Sequence, residues 1–367
     1  MFHVKHLKKK LVVSINVLYY TSISHIPKTY QEKEYGSPLM TNVTSYRACV
    51  GMKAKNKLLT LLILSAGATA VTAAINKFVK TAAISKNLLA EPESHCFKWR
   101  LGDIHYTKEG SGKPLLLIHD LNTCSSGYEW NQMIPRLKDQ YTIYTLDLLG
   151  CGRSEKPCMI YTNYLYVQLI SDFIKSEIGH RTNVIATGES ASIPVMACAN
   201  SPELFNQLML INPLSLMNYS QIPGKTAKSY KFLIDIPVIG TLLYHIASSR
   251  NEIIDYFKKE AFYNPYSVTS SLIDSYYESA HLGTSPKSLY ASVECNYCKC
   301  NIVNALKKID NSIYLIGGKG TPNIEGLLEE YKPINPAIEI TLIPETKYLP
   351  QLEAPAELQK IIKTYFG

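Results

Sequence analysis

One serine in this chain of 367 residues has neighbours small enough for a tightly presented nucleophile. Residues 183–187 form a short, mostly apolar run, and the sequence GESAS at 188–192 follows directly. A serine at a sharp turn from a strand into a helix needs small neighbours, because larger side chains would collide with the strand or the helix. A hydroxyl presented in this way can attack a carbonyl carbon. The pattern predicts a strand, a turn with Ser190 at its apex, and acyl-transfer chemistry.

Acyl transfer also requires a general base, an acid that orients this base, and two backbone N–H groups that hold the oxyanion. Histidine is the usual base, and only His245 and His281 follow Ser190 in the chain. Both lie in a segment with helical spacing, where we expect packing or surface roles for them. Neither of these two histidines is an evident base for Ser190.

The elements that would position Ser190 alternate, from Phe97 onward, between short β-branched runs and longer runs with helical spacing. This alternation predicts an α/β fold with a mostly parallel sheet and helices on both faces. We expect an opening hairpin over residues 95–112 and a closing amphipathic helix over residues 355–366. Further strands are predicted at residues 114–118, 141–147, 183–187, 207–211, 312–317 and 338–343.

Residues 215–293 differ in character from the rest, because they combine helical spacing with many Tyr and Phe residues. We interpret this segment as a helical cap, inserted into a core made of residues 96–214 and 294–367. Aromatic side chains at helical spacing either pack a cap against a sheet or line a hydrophobic substrate pocket beneath it. The sequence leaves both roles open.

Three segments, in this order, resemble the α/β-hydrolase superfamily, particularly its lipase, esterase and C–C hydrolase branch. Residues 115–121 (LLLIHDL) resemble the strand and His-Gly turn that supply half of the oxyanion hole. Residues 147–154 (DLLGCGRS) match the family's D-x-x-G-x-G-x-S loop, most closely that of plastid and cyanobacterial esterase-like members. Residues 349–355 (LPQLEAP) match the segment that follows the catalytic histidine. The resemblance covers residues 96–367 and implies an α/β-hydrolase fold with a helical cap.

The resemblance also implies roles for individual residues. Ser190 would stand at the nucleophile position, and the N–H groups of Leu121 and Ala191 would form the oxyanion hole. His119 corresponds to a structural residue of the family. Asp120 stands where the family has glycine, and its carboxylate would oppose a developing oxyanion unless the side chain points away.

By the same resemblance, the base and the acid are both substituted. Tyr348 stands directly before the LPQLEAP segment, in the histidine position, and Gly320 stands in the acid position. Asn212 occupies an alternative acid position and carries no charge. A phenol has an ordinary pKa of about 10, which makes Tyr348 a poor base at neutral pH.

Two functions are consistent with these residues. The first is a membrane-anchored serine esterase or lipase that acts on hydrophobic acyl substrates with impaired or unorthodox catalysis. The alternative is a pseudohydrolase that binds a lipid-like ligand or a partner without turnover. Chemistry that needs no histidine, such as proton transfer or a lyase reaction, is a third class. No cofactor is expected.

The net charge of +8 is concentrated at the amino-terminal end of the chain. Residues 1–90 contain 13 of the 38 Lys and Arg residues but only two of the 30 Asp and Glu residues. The body is therefore not basic, which argues against a nucleic-acid surface. Residues 58–75 carry no charge and are just long enough to span a membrane. We expect an anchor there; a cleaved signal peptide and a buried or surface helix are the alternatives.

The anchor prediction divides the amino-terminal region into two parts. Residues 52–95 would hold the basic and apolar anchor segment and a linker, and Met52 is a candidate start site. Residues 1–51 would then form an extension of uncertain role.

Eight cysteines follow the apolar segment, and they are scattered rather than spaced as a disulfide framework. This usage favours a reducing compartment, hence a domain that faces the cytoplasm, with secretion after signal cleavage as the alternative. Cys295, Cys298 and Cys300 lie close together in sequence, but no second Cys or His pair with zinc-site spacing follows them. We expect free thiols and no metal.

Overall fold

The computed structural model describes residues 66–90 and 94–367. They belong to two units, divided between Ile75 and Asn76: residues 66–75, which are helical, belong to the first, and the residues from Asn76 to Gly367 form the second. The predictions for residues 1–51, the start at Met52 and the first part of the apolar segment, 58–65, lie outside the described residues. The rest of this section concerns the second unit.

One sheet is built from eight strands: β1 (Ser94–Trp99), β2 (Gly102–Glu109), β3 (Lys113–Ile118), β4 (Tyr141–Leu146), β5 (Thr182–Thr187), β6 (Phe205–Ile211), β7 (Ile313–Gly318) and β8 (Glu339–Ile343). Their order is β1-β2-β4-β3-β5-β6-β7-β8. The pairs β1–β2 and β2–β4 are antiparallel, and all later pairs are parallel. This confirms the predicted mostly parallel sheet with an opening hairpin.

The described helices cover both faces of the sheet and form the insertion between β6 and β7. They are α1 (residues 66–83), α2 (Ile134–Leu137), α3 (Asn163–Phe173), α4 (Ser192–Asn200), α5 (Leu216–Tyr219), α6 (Ala227–Asp235), α7 (Ile239–Ala247), α8 (Arg250–Tyr256), α9 (Ser270–His281), α10 (Pro286–Glu294), α11 (Val303–Lys308), α12 (Ile324–Glu329), α13 (Pro350–Glu353) and α14 (Pro355–Phe366).

The core lies on the two faces of this sheet. All six residues of β5 are buried, as expected for a parallel strand that is covered by helices on both sides. Leu116, Ile118 and Val184 pack into the larger apolar cluster on one face, and Leu117 and Ile185 pack into the cluster on the other face. The α/β arrangement predicted from the alternation of apolar runs is therefore confirmed.

The register between β3 and β5 positions the candidate site. Ile118 pairs with Ala186, so the two chain segments leave the sheet at the same level. β3 pairs with β5 on one side and with β4 on the other. The strand order therefore reverses between β3 and β5. In open α/β sheets ligands bind at the carboxyl ends of the strands at such a point.

The insertion between β6 and β7 is helical, as predicted, and contains α5 to α10. Several of its large aromatic side chains are packing residues: Tyr244, Phe257, Phe262 and Tyr276 are each at most 2% exposed. Several of them share an apolar cluster with Leu349, from the loop after β8. For these four residues the packing role applies.

The end of α1 and the residues that follow it are bonded to the insertion. The Lys80 Nζ donates a hydrogen bond to the Gly283 carbonyl at 2.5 Å, and Lys86 pairs with Asp274 at 2.5 Å. The Leu88 N–H donates to the Glu278 carboxylate at 2.7 Å. Residues 76–90, which we predicted to include a linker, thus belong to the compact unit.

Within residues 66–90 and 94–367, no single helix has the length and apolar composition needed to cross a membrane. Ala227–Asp235 together with Ile239–Ala261 meets that test by length and composition, but as a pair bent by 103°.

Candidate functional site

The turn after β5 differs from the prediction in which residue forms its apex. The strand ends at Thr187, and Gly188 has a φ of +56°, a left-handed conformation that glycine adopts without steric cost. A 3-10 helix over Gly188–Ala191 then leads into α4. Ser190 is therefore the third residue of this helix, and the chain reverses two residues before it.

The Ser190 side chain is directed into the protein. It is 0% exposed, and its Oγ donates a hydrogen bond of 2.8 Å to the Thr187 carbonyl. A hydroxyl in this position caps the backbone of the turn and is shielded from a substrate. The prediction that the turn presents Ser190 as a nucleophile is thus corrected, because the tight reversal occurs at the earlier glycine.

The Asp120 side chain lies against this turn. Its Oδ1 accepts hydrogen bonds from two backbone N–H groups, Leu121 at 2.9 Å and Glu189 at 2.8 Å. The Asn122 Nδ2 donates to its other carboxylate oxygen at 3.1 Å. An oxyanion hole on this fold combines one N–H from the loop after β3 with the N–H that follows the apex of the elbow. Both donors are present, and Asp120 occupies them.

The sequence predicts that the N–H groups of Leu121 and Ala191 form this oxyanion hole. The Leu121 N–H donates to Asp120, and its role as an oxyanion donor stays a prediction. The second donor is Glu189 rather than Ala191, because the apex lies at Gly188 and the next N–H belongs to Glu189. The Asp120 carboxylate points into the hole, which is the orientation that opposes an oxyanion.

Asp120 also excludes a side chain at the apex. A Cβ placed on Gly188 would collide with the Asp120 Oδ1. The β3–β5 register explains this contact, because each residue lies two positions beyond the paired residues Ile118 and Ala186. A nucleophile side chain at residue 188 and the observed Asp120 conformation are mutually exclusive.

Further carboxyl groups lie around Asp120. The Asp120 N–H donates to the Glu129 Oε2 at 3.2 Å, and the Tyr276 hydroxyl donates to the Glu129 Oε1 at 2.8 Å. Burial raises the pKa of both Asp120 and Glu129, although hydrogen bonds to Asp120 oppose the effect. Burial also raises the pKa of Glu189 to about 8. The raised pKa values favour the protonated, uncharged form of these carboxyl groups.

Sequence reasoning missed Glu129 as a site residue. It lies in the 3-10 helix Gly127–Trp130, outside every motif, and no pattern around it marks a buried carboxyl group. Its place in the site follows from the bonds that it accepts from the Asp120 N–H and from Tyr276, which reaches it from α9 in the insertion.

His119 holds the loop after β3 in place. The Leu148 N–H donates to its Nε2 at 3.0 Å, so the proton must be on Nδ1, which donates to the Asp120 carbonyl at 2.7 Å. Both ring nitrogens are thereby committed to the backbone. His119 orients the Asp120 loop and has no nitrogen left to act as a base.

Tyr348 lies in the loop after β8, and its side chain is partly exposed. Burial, with a smaller contribution from the charge of Glu260, raises the pKa of its phenol above the ordinary value. The shift makes the phenolate still less available at neutral pH. Tyr348 therefore cannot replace a histidine as general base.

The two histidines of the insertion are in contact with each other. His245 on α7 and His281 on α9 stack with ring centroids 4.8 Å apart. Burial lowers the pKa of each to about 4, so both rings are neutral at physiological pH. The His281 Nδ1 is bonded to the Tyr277 carbonyl. This arrangement is a packing interaction, in line with the expectation for these residues.

The loop after β7 carries no carboxylate between Gly318 and Thr321. The Gly320 N–H donates to the Thr346 carbonyl at 2.8 Å and so joins this loop to the loop after β8. Asn212 strengthens the connection: its Oδ1 accepts from the Gly318 N–H at 3.0 Å, and its Nδ2 donates to the Lys347 carbonyl at 2.8 Å. Asn212 thus orients two loops rather than a catalytic ring.

No group of three or more metal-ligating side chains occurs within the part of the chain that the structure describes. Cys298 is buried, and burial raises the pKa of its thiol well above the usual value. Burial also raises the pKa of Cys300 to about 12. A protonated thiol is a poor ligand, because metals bind the thiolate.

No protein-family model matches the chain. A soluble epoxide hydrolase from Corynebacterium sp. (strain C12) is 28% identical over 144 residues, which are 39% of this chain and 46% of that protein. A 2-hydroxy-6-oxo-6-(2'-aminophenyl)hexa-2,4-dienoic acid hydrolase from Metapseudomonas resinovorans is 26% identical over 117 residues, 31% of this chain and 40% of that protein. The matches thus span less than half the length of these curated relatives.

Solved structures extend the likeness over most of the chain. The epoxide hydrolase CorEH without ligand has a TM-score of 0.61 and 19% identity, and the match covers 74% of this chain and 98% of that one. The carboxylesterase CesB (YbfK) from Bacillus subtilis has a TM-score of 0.59 and 16% identity, with 80% and 98% covered. At these identities the likeness concerns the fold, which this chain shares with both enzymes.

Proposed function

We propose that this chain, an α/β-hydrolase-fold protein, has lost hydrolytic turnover and retains a binding function. The observation that carries the proposal is the Asp120 carboxylate, which accepts hydrogen bonds from the Leu121 and Glu189 N–H groups against the side-chain-free apex at Gly188. The serine esterase or lipase that the sequence suggested would need these groups for catalysis.

The oxyanion hole is the first reason for this proposal. Acyl transfer requires donors that are free to bind the oxygen of the tetrahedral intermediate, and the loss of one donor costs about 10²- to 10³-fold in turnover. Here one carboxylate oxygen holds both donors. A negatively charged Asp120 would also repel the developing oxyanion.

The nucleophile is the second reason. Gly188 has no side chain to attack a substrate, and the Ser190 hydroxyl is buried and bonded to the Thr187 carbonyl. Tyr348 and Gly320 supply neither a base nor an acid at neutral pH. We infer that Gly188, rather than Ser190, corresponds to the nucleophile of active relatives, and that every catalytic position is substituted.

The retained function that we propose is the binding of a hydrophobic small molecule or a partner at the membrane. The insertion supports it, because Phe232 and Tyr266 are 71% and 95% exposed although four other aromatic residues of the insertion are packed. The apolar run at residues 58–75 supports membrane attachment. The scattered free cysteines favour a cytoplasm-facing domain, with secretion after signal cleavage as the alternative.

A fluorophosphonate probe tests the loss of turnover. The full-length chain is the right reagent, because residues 76–90 are bonded to the insertion. We expect no covalent label on Ser190, and a Ser190→Ala variant should behave as the parent does. Strong labelling that Ser190→Ala abolishes would instead support a serine hydrolase with an unorthodox base.

Membrane attachment requires a separate test. We expect the full-length protein to remain in the membrane fraction after extraction with alkaline carbonate. Its release would contradict a spanning anchor at residues 58–75 and would leave a peripheral association or a cleaved signal.

A further inference from the structure

Two helices of the insertion present large apolar side chains to the solvent. Phe232 on α6 is 71% exposed, and Ile239 and Ile246 on α7 are 56% and 51% exposed. Ile239 and Ile246 are seven residues apart, so they lie on the same side of α7. The opposite sides of these helices bury Ile234, Tyr244 and His245 in the protein. The exposed positions of α6 thus combine Phe232 with Lys228 and Ser229, and α7 has an apolar side that faces away from its own core.

The turn between α6 and α7 has a strained backbone. Val238 has φ +65° and ψ −62°, and the Ile239 N–H donates to the Pro237 carbonyl at 2.7 Å. A β-branched residue rarely adopts a positive φ, so the surrounding structure must hold this conformation. One such restraint is Asn76, whose Nδ2 donates to the Val238 carbonyl at 3.0 Å.

Asn76 connects this turn to the apolar segment. It is the residue that directly follows residues 58–75, and it is itself buried. Phe78, two residues later, is 74% exposed. The uncharged segment therefore ends at the residue that is bonded to the α6–α7 turn. If this segment enters a bilayer, the turn is within a few ångströms of the point where the chain leaves it.

The charges around the turn favour a membrane surface. Residues 222–247 contain three lysines and one acidic residue, Asp235, which pairs with Lys231 at 2.7 Å. Lys225 and Lys228 are exposed, as is Lys77 on α1. A short amphipathic helix with exposed apolar residues and flanking lysines is typical of segments that lie in the interface of an anionic bilayer.

We propose that α6 and α7 form a second membrane contact, which lies in the bilayer interface and inserts Phe232, Ile239 and Ile246 among the lipids. Each helix has nine residues and is about 14 Å long, too short to span a hydrocarbon core of about 30 Å. The contact is therefore interfacial. It rests on the proposed membrane attachment, and it orients the insertion toward the membrane.

Quenching by brominated lipids tests this contact. Full-length Phe232→Trp and Ile239→Trp variants are bound to vesicles made of equal parts phosphatidylcholine and phosphatidylserine with brominated acyl chains. The control is Ser111→Trp, because Ser111 is exposed at the edge of the sheet where β3 begins, opposite the edge that carries the insertion. The two native tryptophans, Trp99 and Trp130, are buried and give the same background in every variant.

We expect the two insertion variants to lose at least about twice as much emission as Ser111→Trp, because interfacial side chains lie about 5–10 Å deep. Vesicle-bound protein with equal quenching in all three variants would overturn the second contact and leave the anchor intact. Protein that does not sediment with vesicles would overturn the membrane attachment and the contact together. Equal quenching with a dimer in sedimentation would identify a second copy as the occupant of this surface.

Discussion

The Asp120 carboxylate accepts a hydrogen bond of 2.8 Å from the N–H of Glu189, a residue 69 positions later in the chain. The bond joins the loop after β3 to the turn after β5 at the place where a hydrolase of this fold binds its transition state. The same oxygen accepts the Leu121 N–H, so one side chain of the protein satisfies both backbone donors.

Gly188→Ser should be strongly destabilising by itself, because a Cβ at this position collides with Asp120 and the left-handed backbone costs about 1–2 kcal/mol in a non-glycine residue. We expect a loss of about 2–4 kcal/mol in the free energy of unfolding. In an Asp120→Gly background the same substitution should cost about 1–3 kcal/mol less. Urea denaturation of the four proteins in this cycle measures the coupling.

Asp120→Asn is the matched control for that cycle, because it keeps an acceptor oxygen and the bulk of the side chain. Gly188→Ser should remain as costly in this background as in the parent. Equal costs in all three backgrounds would show that Asp120 does not restrict residue 188.

Restoration of activity should require substitutions at residues 188 and 120 as well as at the base position, 348, and the acid position, 320. We expect Tyr348→His with Gly320→Asp to leave the protein unlabelled by a fluorophosphonate, because Asp120 still fills the oxyanion hole and no nucleophile stands at the apex. Addition of Gly188→Ser and Asp120→Gly should produce label on residue 188, which peptide mass spectrometry locates.

The position of the label decides between two assignments of the nucleophile. Label on Ser190 after the Tyr348→His and Gly320→Asp changes alone would contradict the assignment to residue 188. A fourfold variant that folds but has the label on Ser190 would contradict it as well.

Asn212→Ala should destabilise the loops after β7 and β8. The substitution removes the hydrogen bonds to the Gly318 N–H and the Lys347 carbonyl, and it leaves alanine in the left-handed conformation at a φ of +46°. We therefore expect the free energy of unfolding to fall by about 2–4 kcal/mol. Asn212→Gly removes the same bonds but relieves the backbone, and it should be about 1 kcal/mol less costly. Thermal unfolding compares the two; a loss well below about 2 kcal/mol in both variants would mean that neither bond matters, and equal losses would mean that the left-handed backbone carries no cost.

The His245 and His281 pair should make stability depend on pH between about 4 and 6.5. Because burial lowers the pKa of both rings to about 4, the unfolded chain binds more protons than the folded chain in this range. Their contribution to stability therefore grows as the pH rises toward 6.5 and is lost as the pH falls toward 4. Glu189, with a pKa of about 8, has the opposite effect between about 4.5 and 8.

A difference measurement isolates the histidines from the buried carboxyl groups. The stability of a His281→Phe variant relative to the parent should fall by about 1–2 kcal/mol between pH 4.5 and 6.5, because the phenyl ring cannot be protonated. Ser111→Ala, an exposed change that removes no titratable group, is the control and should show a constant difference from the parent. A flat profile for His281→Phe would mean that His281 is charged in the folded protein.

Much of the fold was predictable, because its signals are local in the sequence. The buried runs at β3, β5 and β6 have no polar interruption long enough to be mistaken for loops, and the apolar spacing of α14 marks a helix. The helical character of the insertion followed from the same periodicity. These patterns show which side chains must be buried. The burial of those side chains determines where the strands and helices form.

The site was less predictable. Its decisive features are which of two residues, two positions apart, forms the apex of the turn, and the direction in which the Asp120 side chain points. The sequence GESAS contains a glycine and a serine that both suit a tight turn, and only the backbone distinguishes Gly188 from Ser190 as the apex. The sequence indicates that the Asp120 carboxylate would oppose an oxyanion unless it points away, but no local pattern indicates in which direction the side chain points. The β3–β5 register, which sets that contact, is a property of the assembled sheet.

An oxyanion hole in an active enzyme keeps two backbone donors ready for a ligand that is absent most of the time, and unmet donors reduce stability. Asp120 satisfies both donors permanently. Enzymes often sacrifice stability to maintain such sites, so a chain released from turnover can exchange catalytic readiness for a more stable scaffold. Under the proposed loss of turnover, the inward Asp120 side chain is an exchange of this kind.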